Sequence, residues 1–312
     1  VSVEFANGLI ALCLVVAGAW TVIARDLLAA TVAFVVLGLM LALGWSWLGA
    51  VDVAIAEAAI GGGLTGLLLL GAAARLLGTE AEPRAAGPGA LLRATTWAAC
   101  IGVAALVLVA LHALPEPPAT AAPQAVAALP ATGLGNPVTG VLMAFRALDT
   151  MLEKVVVVLA VVAVWSLAPD AAWGDRPRIE PAAAGDGLAA LLARLLVPLG
   201  VIVGVYLLWI GADAPGGAFQ GATILAAMWL LAMLAGLAEP PRIGAFWLRA
   251  VLVAGAAAFL IVGLVGIGIA DAFLAYPEAI AKPLIIGVEI LMTLSVAAAL
   301  AMLVAGPPGR PR

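Results

Sequence analysis

Three sets of ionisable residues stand inside stretches otherwise too apolar for water. Glu57 lies in the run from Val53 to Leu77 and is followed by Gly61-Gly62-Gly63, with Asp52 at the head of the run. An ionised side chain near the centre of a bilayer costs about 2.5–3.5 kcal/mol on the insertion scale, so it is seldom there without a purpose. Glu57 reads either as a proton- or cation-holding group or as a hydrogen-bonding contact to a neighbouring helix. Gly62 and Gly66 have the spacing that lets two helices approach closely, and a local irregularity such as a π-bulge beside the carboxylate is the other reading of the glycines. In a second set, Arg146, Asp149 and Glu153 are spaced i, i+3, i+7 and share a helix face, with Lys154 turned about 100° away. An arginine and two carboxylates on one face can neutralise each other at the interface. As a proton or cation relay, the same set has Glu153 as the member deep enough to be desolvated. The third set is Lys282-Pro283 with Glu289 seven residues on, roughly 10 Å deeper along a helix.

The elements that hold these groups follow from composition. The chain has 312 residues, of which 65% are hydrophobic and 10% charged, with a mean hydropathy of +1.22. A soluble domain has about 25% charged residues, so this is an all-α polytopic membrane protein. A net charge of −4 with no basic stripe argues against nucleic acid as a partner. Cys13 and Cys100 form no CxxC pair and support no metal site or disulfide framework. The first residues lack the positive n-region of a signal peptide, so the first apolar run reads as a retained helix.

Spans of roughly 20 apolar residues fall at about 5–24, 27–48, 51–77, 93–114, 144–168, 189–211, 217–238, 244–270 and 282–305. With the N-terminus outside and the C-terminus cytoplasmic, 11 of the 14 basic residues fall on inner segments, as the positive-inside rule requires. Spans three, five and nine then run inward, and Glu57, Glu153 and Glu289 all belong to the outer half. Tryptophans mark both interfaces except Trp229, which reads as a packing residue. Linkers at 78–89, 115–132 and 169–186 divide the chain into blocks of three, two and four spans. Between spans six and seven, Gly211 to Gly221, with Pro215-Gly216-Gly217, predicts a tight hairpin whose bare backbone permits a close approach or a re-entrant turn. No metal triad, nucleophile pair or phosphate loop is present, so the chain does not read as an enzyme.

Three stretches carry a resemblance. Asp52-Val53-Ala54 through Glu57-Ala58-Ala59-Ile60-Gly61 resembles the signature of MbhD-like domains, which also form part of the C-terminal region of MrpA. Asn136-Pro137-Val138 through Phe145-Arg146-Ala147-Leu148-Asp149-Thr150-Met151-Leu152-Glu153 resembles the MbhE-like signature. Tyr206 to Gln220, centred on Ala214-Pro215-Gly216-Gly217-Ala218-Phe219-Gln220, resembles the MrpB/MnhB signature, and Leu284 to Leu294 is similar to that family's last helix. The order matches that of Mrp operons.

The resemblance implies a three-helix MbhD-like domain at 1–78, a two-helix MbhE-like segment at 93–168 and a four-helix MrpB/MnhB-like domain at 189–306. It implies a subunit of an Mrp-type multisubunit sodium/proton antiporter in the bacterial inner membrane, beside antiporter-like subunits and small MrpC-, MrpF- and MrpG-like subunits. The alternative is a scaffold subunit of a complex I-related energy-converting complex. No cofactor is implied beyond transported sodium ions and protons. Glu57, Asp149 and Glu153 sit on the family's motif positions and take over an expected proton-path role, with Asp52, Arg146, Lys154 and Glu289 as candidates beside them. Gly61 to Gly63 match the place of the π-bulge of the related complex I subunit, and Pro215, Gly216, Gly217, Phe219 and Gln220 match the MrpB-type turn. Departures are Ala212 for the usual histidine, Ala218 for the third glycine of the turn, and Leu152 for a glycine before Glu153. The long antiporter-like core is absent, so the chain is not expected to exchange ions unaided.

Overall fold

A computed structural model describes residues 2–77, 89–115, 120–179 and 188–309. All the regular elements among them are helical. The first three are α1 (Val3–Ile23), α2 (Leu27–Trp47) and α3 (Val51–Ala56). A nine-residue π-helix, Glu57–Thr65, follows and leads into α4 (Gly66–Leu77). Then come α5 (Ala90–His112), the short α6 (Ala122–Ala128), a 3₁₀ turn Leu129–Thr132, the one-turn α7 (Pro137–Gly140) and a π-turn Val141–Phe145. The rest is α8 (Ala147–Trp165), α9 (Leu188–Ile210), α10 (Ala218–Leu234), α11 (Phe246–Ile269) and α12 (Ala281–Ala305). The linker expected at 78–89 lies, apart from Gly89, outside the described residues.

Among the described residues, seven helices are long and apolar enough to cross a membrane, or eight if a pair bent by 89° counts as one span. Two of the nine expected spans stand apart for physical reasons. The helix α8 carries Asp149, Glu153 and Lys154 in its first half, and α10 has only 17 residues. The stretch 115–132, expected to be a loop, contains α6 and the 3₁₀ turn. These two make the bent pair with α7 and its π-turn.

Local chemistry fixes several ends. The Asp26 carboxylate caps α2, accepting from the Ala29 N–H at 2.7 Å. Asn136 caps α7 in the same way, accepting from the Val138 N–H, with Pro137 at the first helical position. The chain breaks at Arg146 (φ −129°, ψ 36°), and the Thr150 hydroxyl, donating to the Leu142 carbonyl at 2.6 Å, takes up a backbone group left by the break.

The core is formed by α8, α10, α11 and α12, where Phe259, Ile285, Leu248, Met302 and Val161 are fully buried, together with Ile243 from the loop before α11. The last helix is its axis, with an almost unbroken run of small buried residues from Ser295 to Met302. Small residues let its neighbours approach closely, which is how helices gain packing energy in lipid. The same device joins α2 to the π-helix. A Cβ on Gly38 would lie 2.7 Å from the Gly62 nitrogen, so the two backbones touch there, and Val35 fills the space beside Gly66. Close packing and helix irregularity, alternative readings of the glycine run, therefore occur together.

Two ends of the bundle are tied differently. At one end the 174–178 segment meets 243–244 and Pro308 through Gly244 N–H to Gly174, Ile243 N–H to Asp175, and an isolated bridge between Pro177 and Pro308. Trp229 lies here, its ring 6.3 Å from that of Trp247. Trp229 therefore shares the end of the bundle marked by an interfacial tryptophan. At the other end, α3, α7, α8, α10 and α12 all begin, and that end holds the site.

Candidate functional site

The turn between α9 and α10 is the foundation. Gly216 and Gly217 have φ of +156° and +126°, a region closed to side chains. A Cβ on Gly216 would fall 2.6 Å from the Leu207 carbonyl oxygen, and one on Gly211 would strike Gly217. Only bare backbone lets the chain turn this tightly and present the free N–H groups of the first turn of α10.

The carboxylate of Asp52, 8% exposed, closes a clasp across the sequence. Its Oδ1 accepts from the Asn136 side-chain amide at 3.2 Å and from the Gly216 N–H at 3.0 Å, while its backbone carbonyl accepts from the Gln220 side chain at 3.3 Å. Asn136 also donates to the Ala214 carbonyl. The Gly135 and Asn136 N–H groups both donate to the Ala212 carbonyl, and the Thr139 hydroxyl donates to that of Gly211 at 2.6 Å. All three motif stretches thus meet at one point. Ala212, where the resembling family has histidine, is buried and contributes its carbonyl. Just outside, Lys282 makes a two-point ion pair with Asp213, 2.6 and 2.9 Å.

Beneath the clasp is a cavity of about 40 Å³ lined by Thr139, Thr150, Glu153, Gln220 and Glu289 with apolar neighbours. That is room for about two waters, each with polar partners at hand. Glu289 is 3% exposed. Its carboxyl is hydrogen-bonded by the backbone of Ala218, at the positive end of α10. A loop tyrosine between α11 and α12 belongs to the same surroundings. Burial pushes the Tyr276 phenol up to about 12, the Glu289 charge adds to the rise, and its hydroxyl has no partner among the described residues.

The structure separates the charges on α8 in a way that corrects the expectation. Glu153, expected to be the desolvated member, is 51% exposed, whereas Lys154 is 1% exposed. The break at Arg146 sets the rotation of α8, and spacing inside the helix carries no information about that rotation. Lys154 Nζ sits 3.0 Å from the ring centroid of Phe219 and 3.9 Å from Glu153, close enough for attraction but not for a hydrogen bond. Arg146 and Asp149 form an exposed ion pair. Glu57 is half-buried and folds back over Gly61, where a Cβ would overlap its carboxyl. It does not line the cavity. Of the three glutamates, Glu153 and Glu289 come together and Glu57 stands apart.

Asn136, Thr139, Thr150 and Tyr276 were not singled out as site residues. Asn136 has the signature of a helix cap before proline, but nothing local shows that its amide reaches Asp52, 84 residues away.

Comparison with known proteins places these features. Residues 12–77 match the MbhD family model, which describes one of the subunits of MBH, and residues 188–307 match a domain related to the MnhB subunit of the Na+/H+ antiporter. Asp52 and the π-helix lie in the first match. The α9–α10 turn and Glu289 lie in the second, and α6 to α8 fall between them. A solved structure of the Mrp complex from Dietzia sp. DQ12-45-1b is similar over 97% of this chain, with 27% identity and a TM-score of 0.70. The similarity covers 35% of that chain, so the present chain spans about a third of its length. No curated protein sequence gives a significant match. With two ordered domain matches and one fold similarity running through both, the chain is a multi-pass membrane protein in which an MbhD domain is followed by a domain related to MnhB, similar to part of the Mrp complex.

Proposed function

We propose that the chain works within a multisubunit sodium/proton antiporter of the bacterial inner membrane, where the cavity between Glu153 and Glu289 holds a proton or cation in transit. Antiporter-like subunits and small MrpC-, MrpF- and MrpG-like subunits are its partners in this reading. The stretch from α6 to α8 acts as the MbhE-like segment. The supporting observation is Glu289: a carboxyl deep in a membrane helix, facing a cavity that also holds Glu153, Gln220 and two threonine hydroxyls, with no arginine in its lining. The cavity has the requirements of a transfer point, namely a carboxyl that can gain or lose a proton, hydroxyl and amide groups to orient water, and a second carboxylate at a more exposed side. Glu57 serves the neighbouring π-helix rather than this cavity.

A scaffold role accounts for the Asp52 clasp but gives the cavity nothing to do. The test is Glu289→Gln in the assembled complex, reconstituted in vesicles and assayed for sodium-dependent proton flux. Exchange falls by about tenfold or more, equivalent to about 1.4 kcal/mol, while all subunits still copurify. Exchange at the wild-type rate would overturn the assignment.

A further inference from the structure

The first turn of α10 touches an ionisable residue from each of three other helices. The Ala218 backbone bonds Glu289 of α12, the Phe219 ring carries Lys154 of α8, and the Gln220 side chain bonds the Asp52 backbone of α3. Gln220 has a further property, because its amide has two ends. The nitrogen donates to α3, and the oxygen lies in the cavity, 3.3 Å from the point where a Gly217 Cβ would stand. Glu289 Oε1 lies 3.9 Å from that point. One side chain therefore bridges the cavity and the helix that runs directly into the π-segment Glu57–Thr65.

We propose that Gln220 is a positioning residue that couples the charge state of Glu289 to the conformation of the π-helix. The inference rests on the cavity reading but concerns mechanical linkage rather than flux. When Glu289 is charged, it is held by the positive end of α10 and by the Ala218 N–H, so the turn is drawn towards α12. When it is neutral this pull weakens. Residues 216 and 217 are held against α9, with the Gly217 N–H donating to the Leu207 carbonyl at 2.8 Å, so the turn moves as a unit and the shift passes to Asp52 through two bonds, Gly216 N–H to its carboxylate and the Gln220 amide to its carbonyl. Asp52 is five residues before Glu57 on a continuous helical path. The α2 backbone contact at Gly38 gives the π-helix a fixed surface to move against. The other charged or titratable groups around this turn are the Asp213–Lys282 ion pair, Glu153 and Lys154 from α8, and Tyr276 from the α11–α12 loop, and none of them is bonded to α3.

The experiment compares amide hydrogen exchange over residues 57–65 in the complete chain in lipid nanodiscs, for wild type, Glu289→Gln, Gln220→Met and the double variant. Glu289→Gln fixes the neutral state, and Gln220→Met keeps the side-chain length without the amide. The neutral variant changes exchange in this segment by about fivefold or more, the lower range of coupling between sites. In the Gln220→Met background the change disappears. An unchanged segment in Glu289→Gln, or an equal response with and without Gln220, overturns the proposal. If Gln220→Met does not fold, Gln220→Leu, which also lacks the amide, takes its place in the same comparison, with the same result overturning the proposal. Loss of ion exchange in Glu289→Gln with no effect on residues 57–65 would keep the cavity reading and remove this one.

Discussion

Asp52→Ala should be the most damaging single change at the junction of the three segments. One oxygen of this carboxylate accepts both side-chain bonds, from Asn136 and from Gly216. Hydrogen bonds to a charged group contribute about 1.5–3 kcal/mol each, so removing the acceptor costs about 3–6 kcal/mol. Asn136 keeps its bond to Ala214, but the Gly216 N–H, buried, is left without a partner. Asp52→Asn retains the oxygen that both donors use and gives up only the charge, a loss of about 2 kcal/mol. At about 2 °C per kcal/mol for a chain of this size, the apparent melting temperature falls by about 6–12 °C for alanine and about 4 °C for asparagine. Heating the detergent-solubilised protein and following the fraction that stays monodisperse reads this directly. Both variants are scanned at the same rate, so that any rate dependence of the apparent midpoint cancels in the comparison. Equal shifts for alanine and asparagine, or a shift below about 2 °C for alanine, would show that the clasp is not what joins the segments.

Lys154→Met should keep or slightly raise stability, because a buried ammonium without a hydrogen bond is exchanged for an apolar chain of similar length. The same variant should lower sodium/proton exchange in the complex, and a stable variant with full exchange would make Lys154 a packing residue only. Gly38→Ala should cost about 1–3 kcal/mol, since the new Cβ would meet the π-helix backbone at 2.7 Å. Gly71→Ala, in open space on α4, should stabilise by about 0.5–1 kcal/mol; equal thermal shifts for the two would refute the α2 contact. Tyr276 has a phenol raised from 10.0 to about 12 in the fold. The unfolded chain therefore loses its proton first, so this residue's contribution to stability is complete below pH 10.0 and declines as pH rises towards about 12. In a Tyr206→Phe background Tyr276 is the one remaining tyrosine, and the rise of phenolate absorbance with pH gives its midpoint. A midpoint at 10.0 would mean the ring is not buried as described.

Sequence patterns reached the helices and the motifs, and stopped at their mutual orientation. Apolar runs identified nearly every long helix because lipid leaves the backbone no other choice. The glycine run offered close packing and a π-type irregularity as alternatives, and both occur because a missing Cβ permits each, but the choice of α2 as the packing partner was not written there. Glu153 and Lys154 show where such reasoning ends. They are adjacent and about 100° apart, so a small rotation of the helix exchanges which of them is buried. Which one depends on how the chain turns at Arg146, a backbone rotation that no spacing records. Asp52, a candidate for the ion path, emerged instead as the fastening of three segments, because its partners lie 84 and 164 residues away. The cavity itself needed α8, α10 and α12 in register, a property of packing alone.

Neither α1 nor α5 contains a buried residue. In water such helices would drive aggregation, but lipid tails are as apolar as leucine and leave them no penalty to escape. Lipid can therefore cover both helices on their outer faces, and neither needs a protein neighbour to keep its apolar side chains out of water.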